Sequence, residues 1–183
     1  MRESQMIQQD RLLLSYLRRS YHAVDGLWFV MAEEAAGFEH ALELDVRVWR
    51  VLAKIQARKA RELLGVPGDG AEELARCFSL KLAADGHEFS VEMGPEAVVF
   101  RVKACPWLEL LRKSGREEVA ARVAQAVCPT EGAVWSQEFG GEWWFEMPVM
   151  GCAGAEGCEM AFRRVTGGSS DGSDRQDVSD KGE

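Results

Sequence analysis

Asparagine is absent from all 183 residues, so the chain carries no N-glycosylation acceptor. Long apolar runs are missing as well. The longest strongly apolar stretch, Leu27 to Ala32, falls far short of the roughly 20 residues a helix needs to cross a bilayer. The opening MRESQMIQQD is polar and lacks the apolar region of a secretory signal. Basic residues are in deficit, 22 against 30 acidic, and the net charge of -8 repels nucleic acid and anionic lipid. There is no CxxC, no HExxH and no strand-to-helix elbow that would nominate a nucleophilic serine. These absences lead to the expectation of a cytoplasmic protein with neither nucleic acid nor membrane as partner, for which a small-molecule ligand is the natural counterpart and homo-oligomerisation stays open.

The five cysteines are odd in number and spread along the chain, which favours reduced thiols over a disulfide framework. Helical periodicity covers about Glu3 to Ser20 through Ile7, Leu13, Leu14 and Leu17. A second helix is expected over Asp25 to Glu34, with Asp25 as N-cap and Gly37 as its stop. The longest helix runs from Phe38 to Leu64, and the glycines and proline of GVPGDG close it. Its Arg47, Arg50, Lys54, Arg58 and Arg61 form a basic stripe, which serves a substrate carboxylate or, more commonly, is a solvated face suited to the helix dipole. After GVPGDG comes a short helix containing Cys77; with Asp69, Glu72 and Glu73 beside it and no lysine following, that turn is a poor phosphate loop.

From His87 the period changes to two. Phe89, Val91 and Met93, a turn at Gly94-Pro95-Glu96, then Val98, Phe100 and Val102 make an antiparallel hairpin. Helices are expected from Pro106 to about Lys113, from Arg116 to Val127, and from the second Cys-Pro to Phe139. Trp143, Phe145 and Met147, then Cys158, Met160 and Phe162, mark a second hairpin around the loop Gly151 to Gly157. The order predicts an α+β fold: N-terminal helices followed by an antiparallel sheet of about four strands in two hairpins, with helices packed on it. It divides into a helical region, 1–84, and a cysteine-bearing α+β region, 85–166, packed as one unit. The last stretch, 167–183, is Gly-, Ser- and Asp-rich and is expected to be a disordered tail.

Chemistry concentrates in the second region. Cys105-Pro106 and Cys128-Pro129 each place a sulfur at an expected helix N-cap, where the macrodipole favours thiolate. Glu109 and Glu131 follow one turn later on the same faces, within reach of a shared ion or of a sulfur-bound proton. The plainer alternative is that each glutamate complements its helix dipole while the cysteine packs. Cys158 lies on the apolar face of its strand and Cys152 opens the loop before it, so four thiols from separate elements resemble a zinc or iron site. Their separations of 23, 24 and 6 residues match no zinc-finger spacing. Cys77 stands outside the group. His22, His40 and His87 belong to no metal-binding pattern, and Trp107, Trp135, Trp143 and Trp144 either wall a flat ligand pocket or pack in the core.

Lys103-Ala-Cys105-Pro-Trp-Leu-Glu109-Leu-Leu, Cys128-Pro-Thr-Glu131 and Gly151-Cys-Ala-Gly154-Ala-Glu-Gly-Cys158-Glu-Met-Ala-Phe162 resemble the L-2-amino-thiazoline-4-carboxylic acid hydrolase family, over residues 87 to 164. Tyr21-His-Ala-Val-Asp25-Gly-Leu-Trp28-Phe is similar to the N-terminal helices of uncharacterised bacterial and archaeal relatives. The resemblance implies a cytoplasmic protein that hydrolyses a small cyclic amide or amidine, with a metal. Under it Cys105, Cys128 and Cys158 hold Zn²⁺ or a similar transition metal, Cys152 is a fourth ligand or a neighbour, and Glu131 or Glu109 is the general base. The chain is more distantly similar to four-vinyl-reductase ligand-binding domains, which imply a non-catalytic binding or sensor module with structural cysteines.

Overall fold

The structure, a computed structural model, describes residues 2–165. Among these residues five helices and four strands follow in the order α1 (Arg2–Ala36), α2 (Phe38–Leu64), α3 (Ala71–Asp85), β1 (Glu88–Met93), β2 (Ala97–Ala104), α4 (Pro106–Lys113), α5 (Glu117–Glu138), β3 (Trp143–Val149) and β4 (Cys158–Arg164). A short 3-10 turn, Gly151–Ala153, precedes β4. The sheet is antiparallel throughout in the order β1-β2-β4-β3, so the two hairpins join along β2 and β4. This is the α+β architecture with N-terminal helices that the alternation of periods predicts. The tail expected from Gly167 lies outside the described residues.

Two helix boundaries differ from expectation, each because packing overrides a local signal. Residues 2–36 form one helix, not two. Asp25 does not cap anything; its carboxylate accepts the indole N–H of Trp107 at 2.8 Å, a tertiary contact that holds it within the helix. Likewise α5 runs through Pro129. A proline inside a helix costs about 3 kcal/mol, but Val127, Glu131, Val134 and Trp135 make one buried face on both sides of it, and Thr130 Oγ1 donates to the Ala126 carbonyl on the same turn. Cys128 is therefore an interior helical residue and not an N-cap. Cys105 is the N-cap of α4, as expected.

The core lies between the helices and one face of the sheet. Val98, Phe100 and Val102 of β2 and Met160 and Phe162 of β4 are buried there. Phe78 of α3 is its centre, with ring centroids 4.9 Å from Phe100, 4.9 Å from Phe162 and 5.0 Å from Trp135, in the edge-to-face arrangement aromatic quadrupoles favour. The alternation in β1 has a different meaning. Val91 and Met93 are exposed, because β1 is an edge strand from which Phe89 alone packs against the core.

Gly132 of α5 is where the helix meets the sheet, since a Cβ there would strike the ring of Phe145 on β3. Gly132→Ala should therefore destabilise the fold by about 1–3 kcal/mol, as overpacked cores do, measured as a lower urea midpoint at unchanged m-value. The adjoining Ala133 is exposed on the same helix and supplies the control. Ala133→Gly should cost no more than about 1 kcal/mol, the difference in helix propensity alone.

Candidate functional site

Four of the five sulfurs converge at one end of the sheet. Cys105 follows the last residue of β2, Cys158 opens β4 opposite Val102, Cys152 sits in the 3-10 turn, and Cys128 reaches them from α5. Gly157 makes the approach possible: with φ at 86° and a Cβ position that would meet the Val102 carbonyl, the turn lies directly on β2. The Gly151 N–H donates to Cys158 Sγ at 3.2 Å. Cys105 lies within electrostatic reach of Cys158, and Cys128 and Cys152 of each other and of Cys105. Cys77 is apart, buried in α3, where its thiol is influenced by Arg61, Arg76 and Glu73.

Burial pushes the thiols of Cys105, Cys128 and Cys152 up from their ordinary pKa, so these sulfurs are protonated at neutral pH. At Cys105 the backbone amides of Leu108 and Trp107, the free donors of the α4 N-terminus, pull the other way without prevailing. Four soft donors suit an ion such as Zn²⁺ in kind, but among the described residues no three His, Cys, Asp or Glu side chains are gathered as a metal-holding group. Cys105 and Cys158 instead open on a cleft of about 490 Å³, which Lys103, Glu109, Arg112 and Glu156 also line.

The two glutamates occupy opposite environments. Glu109 is on the rim of the cleft, exposed, with Lys113 Nζ 3.4 Å from it. Glu131 is buried, and its Oε1 lies 2.7 Å from Lys81 Nζ, which also lies 3.2 Å from Asp85 Oδ2. All three side chains are at most 7% exposed. Burial alone would lower the Lys81 pKa, but the carboxylates outweigh it and hold the ammonium charged. Two carboxylates sharing one ammonium leave an excess negative charge in the interior. Burial raises the Glu131 pKa against the pull of Lys81.

Aromatic rings enclose this ion cluster on the α1 side. Trp107 is the hub, 4.3 Å from His22, 5.4 Å from Trp49 and 5.9 Å from both Tyr21 and His87, centroid to centroid. Tyr21 Oη, His22 Nε2 and His87 Nδ1 are buried without a hydrogen-bond partner. Burial first and Lys81 second bring the His87 pKa down to about 3, so its ring is neutral. Burial pushes the Asp45 carboxyl up to about 7.

Sequence reasoning brings Cys105, Cys128, Cys152 and Cys158 into one neighbourhood but passes over Lys81 and Asp85, reads Asp25 only as a helix cap and gives Asp45 and Tyr21 no part in a site. The signal for the first two is present: Leu74, Phe78, Lys81 and Asp85 follow a 4-3-4 spacing, so the charged pair occupies the core-facing stripe of α3. The basic stripe of α2 proves structural in its second half, where Lys54 and Arg58 pair with Glu138 and Arg61 with Asp69. Residues 5–138 match the model of a family described as a family of unknown function, DUF6125. That span holds the Lys81 cluster, the aromatic enclosure, Cys105 and Cys128, and ends before the second hairpin. No curated protein matches the chain.

Lys81→Met should cost about 3–5 kcal/mol, because it leaves two buried carboxylates without a cation. Converting all three positions, as K81M with D85L and E131Q, should recover most of that loss, measured by urea unfolding. Asp45 fixes a pH dependence. Its folded pKa of about 7 lies above the unfolded value near 3.9, so its contribution is full below pH 4 and is lost as pH rises through 7. Asp45→Asn should raise the melting temperature relative to wild type at about pH 8 and leave it unchanged at about pH 3.5.

Proposed function

The chain belongs to the DUF6125 family, and we propose that it is a small-molecule-binding module, of the sensor kind to which four-vinyl-reductase domains belong, whose ligand occupies the cleft between α4 and the turn before β4. One observation carries this reading: two of the converging thiols, Cys105 and Cys158, line the cleft, and Cys105 lies within electrostatic reach of the buried Lys81. A ligand with a polar or ionised group meets Lys103 and Arg112 at the rim and an apolar wall at Leu108 within, the mixture that ligand pockets present. A Cys105 thiol pushed up by burial suits a wall better than a nucleophile, which acts as thiolate. In this reading the cysteines hold architecture, and binding is reported through α4, whose Trp107 connects the cleft to α1 by its bond to Asp25.

The gathering of four sulfurs favours a second reading, a metal-dependent hydrolase opening a small cyclic amide or amidine such as a thiazoline carboxylate. Zn²⁺ held by Cys105, Cys128, Cys158 and Cys152 requires the sulfurs to close up from where they stand. Glu131, with its raised pKa, or Glu109 at the rim would serve as the proton acceptor.

Both readings meet one experiment on protein purified under reducing conditions. Elemental analysis and rates of iodoacetamide labelling are recorded without ligand and against a panel of small carboxylates and cyclic amidines that includes 2-aminothiazoline-4-carboxylate. The binding reading expects no stoichiometric metal, and a panel member that slows labelling of Cys105 and Cys158 about tenfold without affecting Cys77. The cleft-filling Leu108→Trp should abolish that protection. One equivalent of zinc lost in Cys128→Ser and kept in Cys77→Ser, together with turnover removed by Glu131→Gln, establishes the hydrolase instead. Labelling that no panel member changes, in a metal-free protein, counts against both.

A further inference from the structure

Among the described side chains, those of α1 from Gln5 to Leu17 have no support from the rest of the fold. Every residue from Gln5 to Leu17 is exposed, and the first tie to the body is Arg18, whose guanidinium donates to the carbonyls of Ala83 and Ala84 at 2.7 and 2.9 Å. An isolated helix of that length is marginal in water. Its exposed side chains are nevertheless apolar on a regular period. Met6, Leu13, Leu17, Val24, Leu27 and Met31 are spaced by 7, 4, 7, 3 and 4 residues, a heptad seam along nearly the whole of α1. On α2, Leu44, Val48, Val51 and Ile55 follow at 4, 3 and 4. These ten side chains are 36–63% exposed.

Both seams look the same way. At about 100° per residue each lies roughly 150–180° around its helix from the core-facing positions, His22 and Phe29 on α1 and Ala53, Ala57 and Ala60 on α2. The two helices form an antiparallel hairpin about Gly37, with Tyr21 against Trp49 and Phe29 against Phe38. The seams thus share the outer side of this layer, away from α5 and the sheet.

We propose that a second copy of this chain covers that side, the α1–α2 hairpins of two copies meeting face to face as a four-helix bundle about a twofold axis. The available area meets the requirement. With Trp28 beside the α1 seam, eleven apolar side chains leaving on the order of 100 Å² each give about 1,000 Å² per copy, above the roughly 800 Å² per partner of a stable interface. Two seams of matching heptad period are complementary to themselves under a twofold, which is the commonest symmetry of soluble oligomers. An anionic lipid surface is the poorer occupant, since the net charge of -8 opposes it.

Sedimentation velocity of the full chain at about 1–100 µM should show a species of twice 20.4 kDa. Leu17→Glu with Val51→Glu places four charges in the bundle core while altering only exposed positions of each copy. It should raise the dimer dissociation constant about 100-fold or more and leave a strongly helical far-UV circular dichroism spectrum and cooperative unfolding in place. Should that pair fail to fold, Val51→Lys alone is read in the same way. A wild-type monomer across the whole range overturns the proposal, as does a dimer that survives both variants. Monomeric protein that instead binds phosphatidylglycerol vesicles through Leu17 and Val51 overturns it in favour of a membrane surface.

Discussion

The arrangement of this molecule depends on how an ammonium is kept charged in its interior. Lys81 can be buried only because Asp85, one turn along α3, and Glu131, from α5, come within 3.2 and 2.7 Å of it. That fixes the relative rotation of two helices more strictly than apolar contact would, since an aliphatic face tolerates sliding and a buried ion pair does not. The rest follows from that alignment: α5 presents Gly132 to Phe145 and Cys128 to the other sulfurs, and α3 sets Phe78 between sheet and helix.

Burial sets the protonation of the neighbouring groups. A neutral His87, protonated Cys105, Cys128 and Cys152 thiols and a raised Glu131 carboxyl all reflect one condition, burial that penalises the charged form of each. Asp45, on the far side of the aromatic enclosure, titrates near neutrality for that reason as well. An interior of this kind responds to a ligand that brings its own charge, because even one added charge redistributes protons among groups so closely coupled.

Much of the fold was legible in the chain, and the reasons are local. The switch from helical spacing to alternation at His87, the closing glycines after Leu64 and the proline after Cys105 are properties of short segments, and each marks a boundary the structure keeps. The misplaced boundaries, at Asp25 and Pro129, are positions where burial and tertiary contact decide: Trp107 is 82 residues from Asp25, and the helix carries Pro129 because the residues on both sides of it are buried. For the site, the convergence of Cys105, Cys152 and Cys158 could be inferred because each sits at a recognisable junction, whereas Cys128 joins them from inside α5, where the chain suggests a helix start that does not exist. Lys81 could not be inferred in the same way, since an internal lysine with an acid four residues later looks like any solvated pair until the stripe it shares with Leu74 and Phe78 is counted.

The margins of the sheet carry a consequence of their own. β3 is one border strand, and it holds Pro148, which has no amide to offer, beside a bulge between Glu146 and Val149. β1 is the other, with Glu88 and Glu92 along it. A stray extended peptide finds a missing donor at one border and negative charge at the other, the devices by which natural sheets resist amyloid-like growth. Among the described residues the sheet has four strands, and both of its borders are built against a fifth.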